Sequence, residues 1–205
     1  MDICRKVRRK IQSLWKCVWN TAIPFWSGEV MYYNQCSLPF ARVRYGQEWI
    51  RDVGCGPFSC AIAVSTLLHK KVCPQEIARW AVDHGYYEFC HGSLHSLIPD
   101  VMKQYGLCCE DLGSDTQAMM ERLSYGGLAI VLCKAGSFSG GGHFITVGKD
   151  HTTGMLRVYN SSNVLDCYRK FTEKQIREAL PNPVKWIGPI WYICDRKNES
   201  KGDHI

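Results

Sequence analysis

Two patterns predict an α+β fold in which a helical N-terminal part packs on an antiparallel sheet. Apolar residues recur at helical spacing as far as Ser124, and beyond it short apolar runs stand between glycine-rich turns. A chain of 205 residues, 46% hydrophobic and 12% aromatic, is long enough to bury a sizeable core in one compact domain, and no internal repeat is visible.

The first helix is expected over 57–69. It opens on Pro57, where the missing N–H would be unpaired in any case, and carries the run Cys60-Ala61-Ile62-Ala63-Val64. The second, over 74–84, opens in the same way at Pro74 and places Ile77, Trp80 and Ala81 on one face. The third, over 93–105, carries Leu94, Leu97, Ile98 and Val101, and the fourth, over 115–124, follows a Ser-Asp cap. Strands are then expected over Leu128 to Cys133, Phe144 to Gly148, Met155 to Tyr159 and Ile190 to Cys194. A short helix from Glu173 to Leu180 stops at Pro181.

Two short motifs carry chemistry. Gly54-Cys55-Gly56-Pro57 places a thiol at the mouth of the first helix, and Gly141-Gly142-His143-Phe144 places an imidazole at the mouth of a strand. The thiolate is the attacking species, and an ordinary cysteine with a pKa of about 8.5 is only a few per cent ionised at neutral pH. Unpaired N–H groups at a helix N-terminus, with a nearby imidazolium, would stabilise the thiolate of Cys55. Gly54 and Gly56 are expected to allow a tight turn and the close approach of a substrate backbone. The two residues lie far apart in sequence, as suits a nucleophile and a base that meet only in the fold. A third group should hold the imidazole in one tautomer. The strand candidate ending at Tyr159 runs into Asn160-Ser161-Ser162-Asn163, so Asn160 is the expected orienter, with Ser161 and Asn163 as the alternatives if the register slips.

Taken with Tyr33-Asn34-Gln35-Cys36, Trp80-Ala81, Gly85 and Gly92-Ser93, these motifs resemble the bacteriocin-processing (double-glycine) peptidase-like family of papain-like cysteine proteases, over roughly residues 32 to 165. The resemblance implies a papain-like fold, Cys55 as nucleophile, His143 as general base, and Gln35 as the side-chain partner of the Cys55 N–H in an oxyanion hole. It implies a peptide or protein substrate, with cleavage after paired glycines as the analogy. The chain departs from the family at the third residue: Asn160-Ser161-Ser162 stands where an Asp-Pro or Asn-Asp-Pro is common. An asparagine serves in papain-like triads, so the chemistry is retained.

The competing readings are plain ones. Cys55 is one of twelve cysteines and would otherwise be a structural thiol, and His143 would be a satisfied strand-end histidine. Gln35 would bond a loop, and Asn160 would belong to a turn. Two other functions use the same fold: an acyl or peptidyl transferase that passes the thioester to an amine, and an inactive peptide-binding module. No Cys-x-x-Cys pair occurs, and His91 and His95 are separated by Gly92-Ser93, so no metal and no cofactor is expected.

The net charge of +6 is concentrated at the N-terminus, where Arg5, Lys6, Arg8, Arg9, Lys10 and Lys16 oppose only Asp2. Ile11, Leu14, Trp15, Val18 and Trp19 add an apolar stripe at helical spacing. Residues 1–28 therefore read as a basic amphipathic helical segment, 29–196 as the catalytic domain and 197–205 as a polar tail. The segment has two readings: peripheral contact with anionic lipid through residues 5–19, or a helix docked on the catalytic domain through Trp15 and Trp19, which is the one we expect. No nucleic-acid partner is expected. Lys16, Asn20 and Pro24 interrupt the pattern of a signal peptide, there is no apolar run long enough to span a bilayer, and Cys60, Cys133 and Cys194 sit in apolar runs as reduced thiols do. A cytoplasmic, at most membrane-associated, location is the expectation. Liposome co-sedimentation of the intact chain and of one lacking residues 1 to 28 separates the readings: equal binding by both is expected, and binding by the intact chain alone would establish the anchor.

Overall fold

A computed structural model describes residues 25–181 and 188–196. The basic segment before Phe25 and the tail after Arg196 lie outside these described residues. The chain opens with a hairpin, β1 (Phe25–Ser27) and β2 (Val30–Tyr32), followed by a short helix α1 (Leu38–Ala41) and a second hairpin, β3 (Arg44–Tyr45) and β4 (Glu48–Trp49). Helix α2 (Ile50–Val53) then leads through Gly54 into the long helix α3 (Cys55–Leu67). Helix α4 (Pro74–Asp83), a small hairpin of β5 (Tyr87–Glu88) and β6 (Gly92–Ser93), and helix α5 (Leu97–Gln104) complete the helical part.

The second half is a six-stranded antiparallel sheet. Its strands are β7 (Cys108–Gly113), β8 (Leu128–Cys133), β9 (His143–Lys149), β10 (Leu156–Tyr159), β11 (Lys170–Phe171) and β12 (Ile190–Cys194), in the spatial order β11-β10-β9-β8-β12-β7. Helices α6 (Thr116–Arg122) and α7 (Glu173–Ala179) lie between strands in sequence. The observed α+β architecture thus matches the expected one.

Each sheet face is covered by its own core, and side-chain alternation sorts the residues between them. Leu128, Ile130, Phe144 and Ile193 join the core built on α3, whereas Ala129, Val131, Ile145 and Val147 join Met119, Leu123 and Ile176 on the other side. Burial on both faces explains why β8, β9 and β12 read as nearly unbroken apolar runs. Helix α3 is buried all along from Gly56 to Thr66, the property of a helix at the centre of a core rather than on its surface. Its polar side chains are used as anchors. Thr66 Oγ1 accepts from Met31 N at 3.0 Å, and Ser65 Oγ accepts from Val72 N at 2.9 Å.

Two differences from the sequence expectation have physical causes. The third helix begins at Leu97 rather than 93, because Gly92 and Ser93 pair with Glu88 and Tyr87 in the hairpin. Pro99 then falls in the first turn, where it needs no N–H; a helix begun at 93 would have left His95 O without its donor. Strand β7 was not anticipated because Glu110 and Asp111 sit exposed in its middle, as suits the charged edge of a sheet.

The glycines at the start of α3 also have a packing role within the chain. A Cβ at Gly56 would stand 2.5 Å from Ser93 Oγ and 2.7 Å from Ser93 Cβ, and one at Gly54 would run into the Ile50 carbonyl oxygen. They let the protein's own chain pack tightly around the thiol. Gly54→Ala is therefore expected to cost about 1–3 kcal/mol of stability through overpacking against backbone that cannot yield, read as a lowered urea midpoint at unchanged m-value; an unchanged midpoint would contradict it.

Candidate active site

Cys55 is the first residue of α3, His143 the first residue of β9, and Asn160 the residue after β10. Because β9 pairs antiparallel with both β8 and β10, His143 lies opposite Cys133 on one side while Asn160 comes back toward it on the other. Three residues distant in sequence are thus brought together by one helix start and two neighbouring strand ends.

The ring is held from both sides. His143 Nε2 stands 2.8 Å from Asn160 Oδ1 and 3.3 Å from Ser162 Oγ, and the ring is hydrogen-bonded to the Cys55 thiol. With Nε2 engaged by Asn160, Nδ1 is the nitrogen left for the thiol. Burial alone would push the Cys55 thiol up, but the hydrogen bond and charge of His143, followed by the N–H groups of Phe144 and Gly56, bring it below the ordinary thiol range. His143 moves the other way. Burial works to lower it, and the bond and charge of Cys55, then Asn160, then the charge of Asp166, raise it. An attracting thiolate and imidazolium account for both directions.

No imidazole acts in this way on Cys60, Cys133 or Cys167. Burial pushes Cys133 and Cys167 up to about 12 and Cys60 well above its ordinary value. Cys55 alone among these four combines a lowered value with a place on an open cleft.

Gln35 follows β2 and is buried, with both ends of its amide in use. Its Oε1 accepts from Ser161 Oγ at 2.8 Å and its Nε2 donates to the Arg51 carbonyl at 2.8 Å, while its backbone N–H donates to Ser161 O at 2.8 Å. One Nε2 hydrogen is left over. Of the alternatives for the orienting residue, Ser161 is engaged by Gln35, and Asn163 caps the 3-10 turn Val164–Tyr168 by accepting from Leu165 N. Asn160 is the one that meets the ring.

Asp166 was not anticipated. It is buried and its Oδ2 accepts from Asn160 Nδ2 at 2.9 Å. The signal available in the sequence was a lone acid inside the run Val164-Leu165-Asp166-Cys167, a setting in which a carboxylate needs a partner.

A cleft of about 780 Å³ opens beside Cys55, walled by Leu94, His95, Leu132 and Phe144, with Glu88, His91, Ser93, Ser96 and Gly142 completing its lining. In the stretch Tyr86-Tyr87-Glu88-Phe89, Glu88 reaches the cleft. Tyr86 instead donates to Asp100 Oδ2 at 2.6 Å and Tyr87 to Glu48 Oε2 at 2.9 Å, so these rings brace the hairpin.

The structure is similar to the solved peptidase domain of ComA from Streptococcus, a bifunctional ABC transporter involved in a quorum sensing pathway, with a TM-score of 0.50. The match covers 71% of this chain and 93% of that one at 12% identity, so it concerns the fold. The chain shares the fold of that peptidase domain, helices packed on an antiparallel sheet. The resemblance to bacteriocin-processing peptidases read from the short motifs extends to this architecture. No family model and no curated protein matches the sequence. No helix among the described residues is long and apolar enough to cross a membrane.

Within this fold, Ser161→Ala should strand the buried Gln35 Oε1 and cost about 1–3 kcal/mol of stability. Urea unfolding at fixed pH reads the loss, and a midpoint equal to the parent's would mean that Gln35 finds another donor.

Proposed function

We propose that the chain is a cysteine peptidase that hydrolyses a peptide bond through a Cys55 thioacyl intermediate. The observation that carries the reading is the series Cys55–His143–Asn160, with the thiol lowered, the ring raised and Asn160 Oδ1 at 2.8 Å from the ring's far nitrogen.

In this mechanism His143 Nδ1 holds the thiol proton and the Cys55 thiolate attacks the scissile carbonyl carbon. The carbonyl oxygen gains the displaced electron pair and is met by the Cys55 N–H and the remaining Nε2 hydrogen of Gln35. Collapse of the tetrahedral species breaks the C–N bond, and the imidazolium protonates the departing amine. Water, deprotonated by His143, then attacks the thioester, releasing the acid and returning the proton to the thiol. Asn160 keeps the ring turned for both steps. The substrate is a peptide or protein segment lying in the cleft beside Cys55, with glycines on its acyl side as the family resemblance implies.

Gln35→Ala should keep its fold but lose about 100- to 1000-fold in turnover, as for loss of one oxyanion donor elsewhere. The assay is cleavage of a glycine-containing peptide library followed by mass spectrometry, with trapping of the Cys55 acyl adduct. Full turnover in Gln35→Ala would remove Gln35 from the mechanism. Amide products on adding a free amine would show that the same thioester serves a transferase.

A further inference from the structure

Asn160 has two chemically different ends that are nearly the same in shape, and only one of them suits a base. If its oxygen faces His143 Nε2, that nitrogen carries the hydrogen and Nδ1 is free to take the thiol proton. If its NH2 faced the ring, Nε2 would become the acceptor, the hydrogen would sit on Nδ1, and the side facing Cys55 could take nothing.

The neighbours of Asn160 decide between these. Both hydrogens of Nδ2 are taken by groups that can only accept, the Phe138 carbonyl at 3.1 Å and Asp166 Oδ2 at 2.9 Å. On the other side Oδ1 faces the Ser162 backbone N–H at 3.0 Å, which can only donate, and the Ser162 hydroxyl at 2.9 Å. A reversed amide would set its oxygen against a carboxylate and a carbonyl in a buried place, and its NH2 against an N–H.

We propose that Asp166 is a positioning residue, whose carboxylate holds the Asn160 amide with its oxygen on His143 Nε2 and so keeps Nδ1 open to the thiol. This rests on the reading of Cys55 and His143 as a working pair. The charged and titratable groups around the series are few. Arg169 Nη1 lies 3.5 Å from Asp166 Oδ1 on a largely exposed side chain, and Cys167 and Tyr32 stand near the carboxylate. Tyr32 donates its hydroxyl hydrogen to Asn160 O at 2.8 Å, and Cys55 and Cys133 flank the ring. Arg169 holds the outer oxygen of the carboxylate and leaves the inner one for Asn160.

Two readouts test the role. In Cys55→Ala protein, where no thiolate can charge the ring, 15N shifts of His143 should report hydrogen on Nε2; adding Asp166→Asn should convert this to a mixture of tautomers. In protein with its thiol intact, Asp166→Asn should raise the pH midpoint of Cys55 alkylation by about one unit, which is about a tenfold loss of labelling rate on the acid side. The exchanged pair Asn160→Asp with Asp166→Asn puts the carboxylate directly on the ring and should restore the parent midpoint. It also serves as the test if Asp166→Asn alone does not fold. An alkylation profile in folded Asp166→Asn that overlays the parent's, an unchanged tautomer, or an exchanged pair that folds yet labels as an ordinary thiol would each overturn the proposal. A parent Cys55 that itself titrates as an ordinary thiol would instead defeat the pairing with His143 on which the proposal stands.

Discussion

The turn Asn160–Ser162 is where separate stretches of chain are tied to one another. Asn160 holds His143 through its side chain and receives Tyr32's hydroxyl on its backbone carbonyl, while Ser161 binds Gln35 through both backbone and hydroxyl. Gln35 in turn reaches the Arg51 carbonyl, immediately ahead of the Gly54–Cys55 helix start. A displacement of this turn would move the partner of His143 and the proposed oxyanion donor together. The polar groups involved are buried, so each missing bond would leave an unsatisfied partner rather than a solvated one.

This turn is held in place by the sheet. The pairing of Tyr159 with Thr146 fixes where β10 ends relative to β9, and the pairing of Cys133 with His143 fixes where β9 begins relative to β8. A slip of one residue would exchange the two cores, because alternate residues of β8 and β9 feed opposite faces. The apolar alternation therefore sets the register, and the register sets the distance between the His143 ring and the Asn160 amide. Helix α3 is fixed against the same sheet by the hydrogen bond from Thr146 Oγ1 to Ser59 O at 3.3 Å.

Much of this was legible in the sequence because the relevant signals are local. Pro57 and Pro74 marked helix starts, Asp115 caps the helix that begins at Thr116, and the ranges Leu128–Cys133 and Ile190–Cys194 could be read from apolar runs alone. Cys55, His143 and Asn160 could be singled out because each sits where an element starts or ends. What stayed hidden depends on side-chain contacts that only the folded chain makes. The sequence offers no aspartate in the turn after β10, yet Asp166 supplies a carboxylate one hydrogen bond further out, and only the fold brings it to Asn160. Gly54 and Gly56 were legible as a tight turn, but not the reason for Gly56, which Ser93 approaches through the tertiary packing, whereas Ile50 meets Gly54 across the preceding helical turn. The two-residue strand β11 and the charged edge β7 carry too little apolar pattern to be read.

The proposed mechanism requires Cys55 and His143 to form a thiolate–imidazolium pair, and the pH dependence of site-resolved alkylation at Cys55, in the parent and in His143→Ala, decides whether they do. A depressed thiol and a raised imidazole together predict that labelling persists from neutral pH well into the acid range and falls only where the thiolate takes up a proton. In His143→Ala the acid-side labelling should vanish. A parent profile that rises only in the alkaline range of an ordinary thiol, unchanged by the substitution, would contradict the account and leave Cys55 a structural residue.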